Sequence, residues 1–269
     1  MDLCCSEPIA SVDLLTNHLW IIDFRLSMSS SIADNSSASL ELLESLKGQL
    51  QDTSLKQQLT ALPQLVEAGA PGQQIIMDFL QAQKQAPPSI AAGRSLQWLA
   101  QLDDADVQAF IKEHFATGIM ALSLDCQVDY SGIQTALVQQ DFELADRLTL
   151  QKMCELAGEN AVKRKWLYFT EVNLFPNLDL QTLDQLWLIY SEGKFGFSKQ
   201  REIWLGVGKN WEKFWPRIAW KSDNIWTRYP GEFIWKLEAP VGHLPLTNQL
   251  RGVRVMDSLM NHPVWTATS

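Results

Sequence analysis

Arg251 and Arg254 stand three residues apart in an apolar-periodic stretch, so they share one face of a helix. Arg228 lies between Trp226 and Tyr229, inside a run from Trp220 to Thr247 that has no helical period and holds Pro230, Pro240 and Pro245. Long irregular segments in compact domains tend to carry function. This one also holds Phe233 and Trp235. Aromatic faces can stack on a flat π-system, and guanidinium groups beside them suit carboxylate arms. The aromatic supply is large: 17 of the 71 residues from Trp166 to Lys236 are aromatic, and nine of the 11 tryptophans lie between Trp166 and Trp265. Trp187, Trp204, Trp211 and Trp215 fall at helical positions and read as core. Trp226, Tyr229, Phe233 and Trp235 read as ligand-facing, because a loop aromatic has no helical reason to be there.

Catalytic patterns are missing. The chain has no GxSxG, P-loop, GxGxxG, HExxH or CxxC, and Gly206-Val207-Gly208 is only a turn signal. His18, His114, His243 and His262 are scattered without metal-ligand spacing. His243, in Gly242-His243-Leu244-Pro245, falls in the ligand loop and could meet a metal carried by a ligand; a structural role is the stronger reading. No catalytic residue, metal site or obligatory cofactor is assigned, and the chain reads as a non-enzyme.

The elements that must position these residues read as all-α. Leu55, Leu59, Leu62 and Val66 share a helical face, as do Val107, Phe110, Ile111 and Phe115 behind the acids Asp103, Asp104 and Asp106. Short helices joined by short turns over 39–118 suggest a bundle or a HEAT- or armadillo-like array. Residues 1–38, ending in a Ser-rich run, read as a flexible segment, and 119–130 as a linker. The core domain spans 126–265. Asp179 is expected to cap a helix that carries Leu183, Leu186, Trp187 and Tyr190, and Lys163 to Thr170 is expected to be helical. With 46% hydrophobic and 20% charged residues among 269, the chain can bury a core. Residues 1–125 carry 6 basic against 15 acidic residues, a net of −9, which argues against a nucleic-acid partner. Residues 194–269 carry 11 against 6, a net of +5, which suits an anionic ligand or surface. Four cysteines without framework spacing, no membrane-length apolar run and no secretory pattern point to a soluble cytoplasmic protein.

Several stretches are similar to one family. Gln140-Asp-Phe-Glu-Leu-Ala-Asp146 with Cys154-Glu-Leu-Ala-Gly158, Trp166-Leu-Tyr-Phe-Thr-Glu-Val172 with Phe175-Pro176, and Gly193-Lys-Phe-Gly-Phe-Ser198 resemble the genomes-uncoupled-four family. So do Trp220 to Pro230, Gly242 to Pro245 and Leu250 to Arg254. The helical zone before them resembles the N-terminal extension of cyanobacterial members; residues 1–38 have no counterpart. The resemblance implies an all-helical cupped hand whose loops frame an apolar palm. It implies a non-catalytic regulator that binds protoporphyrin IX and Mg-protoporphyrin IX and stimulates magnesium chelatase through its large porphyrin-binding subunit. Carried over, Phe169, Val172, Trp226 and Tyr229 line the palm, and Arg251 and Arg254 meet the propionates. Tyr229 stands where the family often has Trp. A peripheral contact with photosynthetic membranes stays open. The alternative is a helical protein-interaction adaptor whose aromatics only pack the core. An enzyme acting on tetrapyrroles is disfavoured by the lack of a placed acid or base.

Overall fold

A computed structural model describes residues 39–247 and 252–266. Residues 1–38, and with them the expectation of a flexible segment, lie outside the described residues, as does Arg251. The described chain is helical apart from one two-residue hairpin. The first half runs α1 (39–50), α2 (Leu55–Glu67), α3 (Ala70–Gln83), α4 (Ile90–Ala100) and α5 (Ala105–His114). Local chemistry fixes the ends. The Ser89 hydroxyl accepts from the Ala92 N–H, and the Asp104 carboxylate accepts from Asp106 and Val107 N–H, so one orphan donor of α4 and two of α5 are satisfied. Leu62, Leu65, Ile76, Leu80, Leu96 and Leu99 have no exposed surface, so the stripes bury one another as the array winds.

The second half holds α6 (Ser131–Val138), α7 (Phe142–Leu156), α8 (Glu159–Arg164), α9 (Phe169–Val172), α10 (Asn177–Ile189), α11 (Phe197–Gly206) and α12 (Trp211–Arg217). Then come β1 (Lys221–Ser222), β2 (Ile225–Trp226) and α13 (Arg254–Met260), before a 3-10 turn at Pro263–Trp265. β1 and β2 pair antiparallel, Lys221 opposite Trp226. The helix expected over Lys163–Thr170 is broken: Lys165 adopts a left-handed φ of 61° that ends α8, and α9 starts four residues later. Asp179 is not a cap. It is wholly buried in the first turn of α10, where it accepts from the Tyr130 hydroxyl at 2.7 Å and the Gln127 N–H at 3.1 Å. That pins the connecting segment to the core.

The two halves dock through α4, which packs on α10 and α6. Gly93 makes the close approach: a Cβ there would lie 2.6 Å from the Ile189 carbonyl oxygen. One turn on, the buried Gln97 amide donates to the carbonyls of Leu137 and Tyr190, both at 2.8 Å. Arg94 Nε meets Glu192 at 2.9 Å. Gln134 and the Tyr190 hydroxyl tie residues 117–120 to the same seam; the Tyr190 oxygen accepts from Ile119 N–H and donates to Gln134.

Candidate functional site

The aromatic loop does not stand apart from the helices. Trp204, Trp211, Trp215 and Trp220 form a column with centroids 5.2, 5.1 and 5.7 Å apart, and the last two rings are nearly parallel at 10°. Trp226 adds an edge-on contact to Trp215 at 5.5 Å, and Phe233 one to Trp220 at 6.4 Å. Trp235 packs on Phe233, and Tyr229 stands edge-on to Trp235 at 6.0 Å. The division into structural helix tryptophans and ligand-facing loop aromatics therefore fails in part. Phe233 is 5% exposed and belongs to the core, Trp226 is half-buried against the column, and Tyr229, at 53%, presents its ring to solvent. A loop aromatic has a packing reason after all, because the loop folds back on the helices.

His243 is the clamp of that loop. Its Nδ1 donates to the Ile218 carbonyl at 2.6 Å and its Nε2 accepts from the Ile234 N–H at 3.1 Å, while Trp220 Nε1 donates to the His243 carbonyl at 2.8 Å. Burial lowers the imidazole pKa, and the two bonds fix the neutral Nδ1–H tautomer. Both ring nitrogens are engaged, so neither is free for a ligand-borne metal.

A groove opens between α7 and the end of α8, and a narrow crevice beside it reaches α13. On α7, Arg147, Leu150, Gln151 and Cys154 recur at the spacing of one helical face and floor a groove of about 410 Å³ whose far wall is Val162 and Lys165. Leu150 also lines a narrow crevice that runs on to Trp166, Thr247 and Val255. The turn between α8 and α9 is held by Arg164. Its guanidinium reaches both oxygens of Glu171, at 2.8 and 2.7 Å, and lies over the rings of Trp166 and Tyr168 at 4.8 and 4.4 Å. Glu171 also accepts from the Tyr168 N–H.

The expected site residues divide. Phe169 is half-buried, and the Arg254 guanidinium lies over its ring at 5.5 Å, so these two come together. Val172 has no exposed surface and Phe233 almost none, so both belong to the core and neither offers a face to a ligand. Arg228 is exposed, and its backbone N–H donates to Glu232. Sequence reasoning missed the α7 stripe. The available signal was the spacing of Arg147, Leu150, Gln151 and Cys154, a face too polar for core and too apolar for plain solvent.

Asp146 sits behind that floor. It is 4% exposed and accepts from the Leu246 N–H at 2.6 Å, which ties α7 to the base of the segment carrying Arg251 and Arg254. Burial pushes its carboxyl up to about 7, against the pull of that hydrogen bond. Burial also raises the Tyr229 phenol, helped by the charges of Asp146 and Glu143. A larger hollow of about 580 Å³ opens where the halves meet, between Arg94, Phe142, Glu192, Lys194 and Trp235. Arg94 is paired there with Glu192 and Lys194 with the Leu237 carbonyl, and Lys236 and Glu238 also line it.

These features define a two-part all-helical protein, a helix array docked on a core with a grooved palm. Residues 123–263 match the family model described as GUN4-like, and residues 34–116 match one described as an ARM-like repeat domain, GUN4-N terminal. The chain belongs to the GUN4 family. A Ycf53-like protein of Synechocystis sp. is 50% identical over 227 residues, which is 83% of this chain and 97% of that protein. A chloroplastic protein of Arabidopsis thaliana named a tetrapyrrole-binding protein is 39% identical over 142 residues, 49% of this chain and 54% of that one. The structure of GUN4 from Chlamydomonas reinhardtii superposes with a TM-score of 0.51 at 40% identity, covering 55% of this chain and 95% of that one.

Proposed function

We propose that this protein binds a dicarboxylic tetrapyrrole, protoporphyrin IX or Mg-protoporphyrin IX, in the palm. On this reading it stimulates magnesium chelatase through the large porphyrin-binding subunit and performs no chemistry of its own. The observation that carries the reading is the groove itself, where Leu150, Cys154 and Val162 offer apolar surface; Phe169 under Arg254 and the exposed Tyr229 lie outside its lining. The groove falls within the usual volume range of small-molecule sites. The residues present fit the ligand, since a flat ring needs apolar faces and its acids need cations. Each 100 Å² of apolar face covered contributes about 2.5 kcal/mol before the costs of association. The Arabidopsis relative's name supports the same ligand class. Trp226 and Arg228 complete the loop side, and Arg254 supplies positive charge from the start of α13, with Arg251 three residues before it in the sequence.

The family name and the missing catalytic set both favour a regulator, and stimulation of a partner requires only that ligand and partner bind one state better than another. The test uses the full chain. Protoporphyrin IX is titrated while tryptophan emission is followed, and the protein is then added to a magnesium chelatase assay. Saturable quenching with a raised chelatase rate is expected. No saturable quenching overturns tetrapyrrole binding; quenching without any change in chelatase rate overturns the regulatory half alone.

A further inference from the structure

Most cations around the palm are occupied. Arg164 is held by Glu171, Lys152 by Glu155 and Lys163 by Glu159. Arg254 is turned over the Phe169 ring. Two others differ. Arg147 and Lys165 both line the groove, one from the α7 floor and one from the opposite wall, and neither makes an ion pair among the described residues. Lys165 is held at the groove by backbone geometry: its left-handed conformation ends α8 there, its N–H donates to the Ala161 carbonyl, and its neighbour Arg164 is held by Glu171. Arg147 stands where α7 approaches the aromatic loop, close enough for its charge to act on the Tyr229 phenol.

Between the two cations the surface is neutral. Leu150, Val162 and Cys154 lie there, and burial pushes the Cys154 thiol up to about 11, so it carries no charge near neutral pH. An apolar strip with a free guanidinium and a free ammonium at its borders is matched by a flat apolar body with acid arms, and poorly by the same body with neutral arms.

We infer that Arg147 and Lys165 are the carboxylate anchors of the groove, the groups that make it select a ring bearing acid side chains over the same ring without them. This rests on the tetrapyrrole reading of the palm and adds which groups set its specificity. The ring lies along Leu150, Cys154 and Val162, and the acid arms reach the two cations at its edge.

The experiment compares two probes on the full chain: deuteroporphyrin IX, a diacid, and its diamide, which keeps the ring and loses both charges. The wild type is expected to bind the diacid more tightly, with a preference that shrinks as salt rises. The double variant Arg147→Gln, Lys165→Gln is expected to bind the diacid about tenfold more weakly, as two partly exposed charged contacts together warrant, and the diamide unchanged. Helicity by circular dichroism guards against misfolding, and the diamide affinity is an internal control for the intact groove. A double variant that keeps the diacid preference overturns the assignment. So does one that loses both probes equally, or a preference abolished only by Arg251→Gln, Arg254→Gln. If the wild type binds neither probe, the tetrapyrrole reading itself falls, an outcome separate from the others.

Discussion

Replacing Asp146 by Asn should make the protein more stable at pH 8 and leave it nearly unchanged at pH 4. Asp146 is fully inside the fold, with the Leu246 N–H as its hydrogen-bond partner, and it titrates at about 7. An unfolded Asp titrates at about 3.9. Between those values the folded chain holds a proton that the unfolded chain has released, so stability falls as pH rises through the window and is flat on either side. Each pH unit within it is worth at most about 1.4 kcal/mol, so the charged carboxylate costs the fold up to about 4 kcal/mol above pH 7. Asn does not ionise and its carbonyl oxygen can still accept from Leu246. The pull of that bond on the charged form is already contained in the value of about 7, so a variant matched to the wild type at pH 4 gains up to about 4 kcal/mol at pH 8. Urea unfolding of both proteins at pH 4.5, 6 and 8 reads this directly, because other titrating groups cancel in the difference. Glu143 and Arg147, the charged groups nearest the carboxyl and Tyr229, are unchanged in both. A difference that stays constant with pH, or a variant less stable than the wild type at pH 8, refutes the reasoning.

Gln97→Leu should destabilise the chain by about 2–4 kcal/mol in urea unfolding, because the carbonyls of Leu137 and Tyr190 lose their donor where water cannot replace it. Gly93→Ala forces a Cβ to 2.6 Å from the Ile189 oxygen and should cost about 1–3 kcal/mol, with faster amide exchange in α4 and α10 as the local sign. Val172→Ala should lower stability by about 1–3 kcal/mol and leave porphyrin affinity within about twofold, since the side chain has no surface to offer a ligand. A large affinity loss at full stability would show that Val172 does reach the ligand.

What the sequence made readable was local. The Leu55, Leu59, Leu62 and Val66 stripe is α2, and Asp104 caps α5, because these signals act within one turn. Asp179 misled for the same reason: an acid near a helix start reads as a cap, and its true partner Tyr130 lies 49 residues away. Gln97 gave no signal, since its carbonyl partners lie 40 and 93 residues distant. The loop aromatics were visible as a cluster, yet which faces they bury depends on Trp215 and Trp220 meeting them from another element.

That long-range dependence bears on how the palm could work. Consecutive residues of α7 point two ways: Arg147 lines the groove, while Asp146 holds Leu246 at the base of the segment that leads to α13. A ligand on Leu150 and Cys154 therefore lies against the helix that carries the Asp146–Leu246 bond. The opposite wall is stiff, braced by Arg164 on Glu171, and the aromatic loop is clamped by His243. With two walls held, the Asp146 bond is the place to test whether an occupied groove differs from an empty one. Asp146→Asn then separates two ideas. If that bond transmits binding, weakening its charge should change porphyrin affinity with pH between 6 and 8 in the wild type and not in the variant. If the palm is rigid throughout, affinity in both proteins should follow only the ionisation of the ligand.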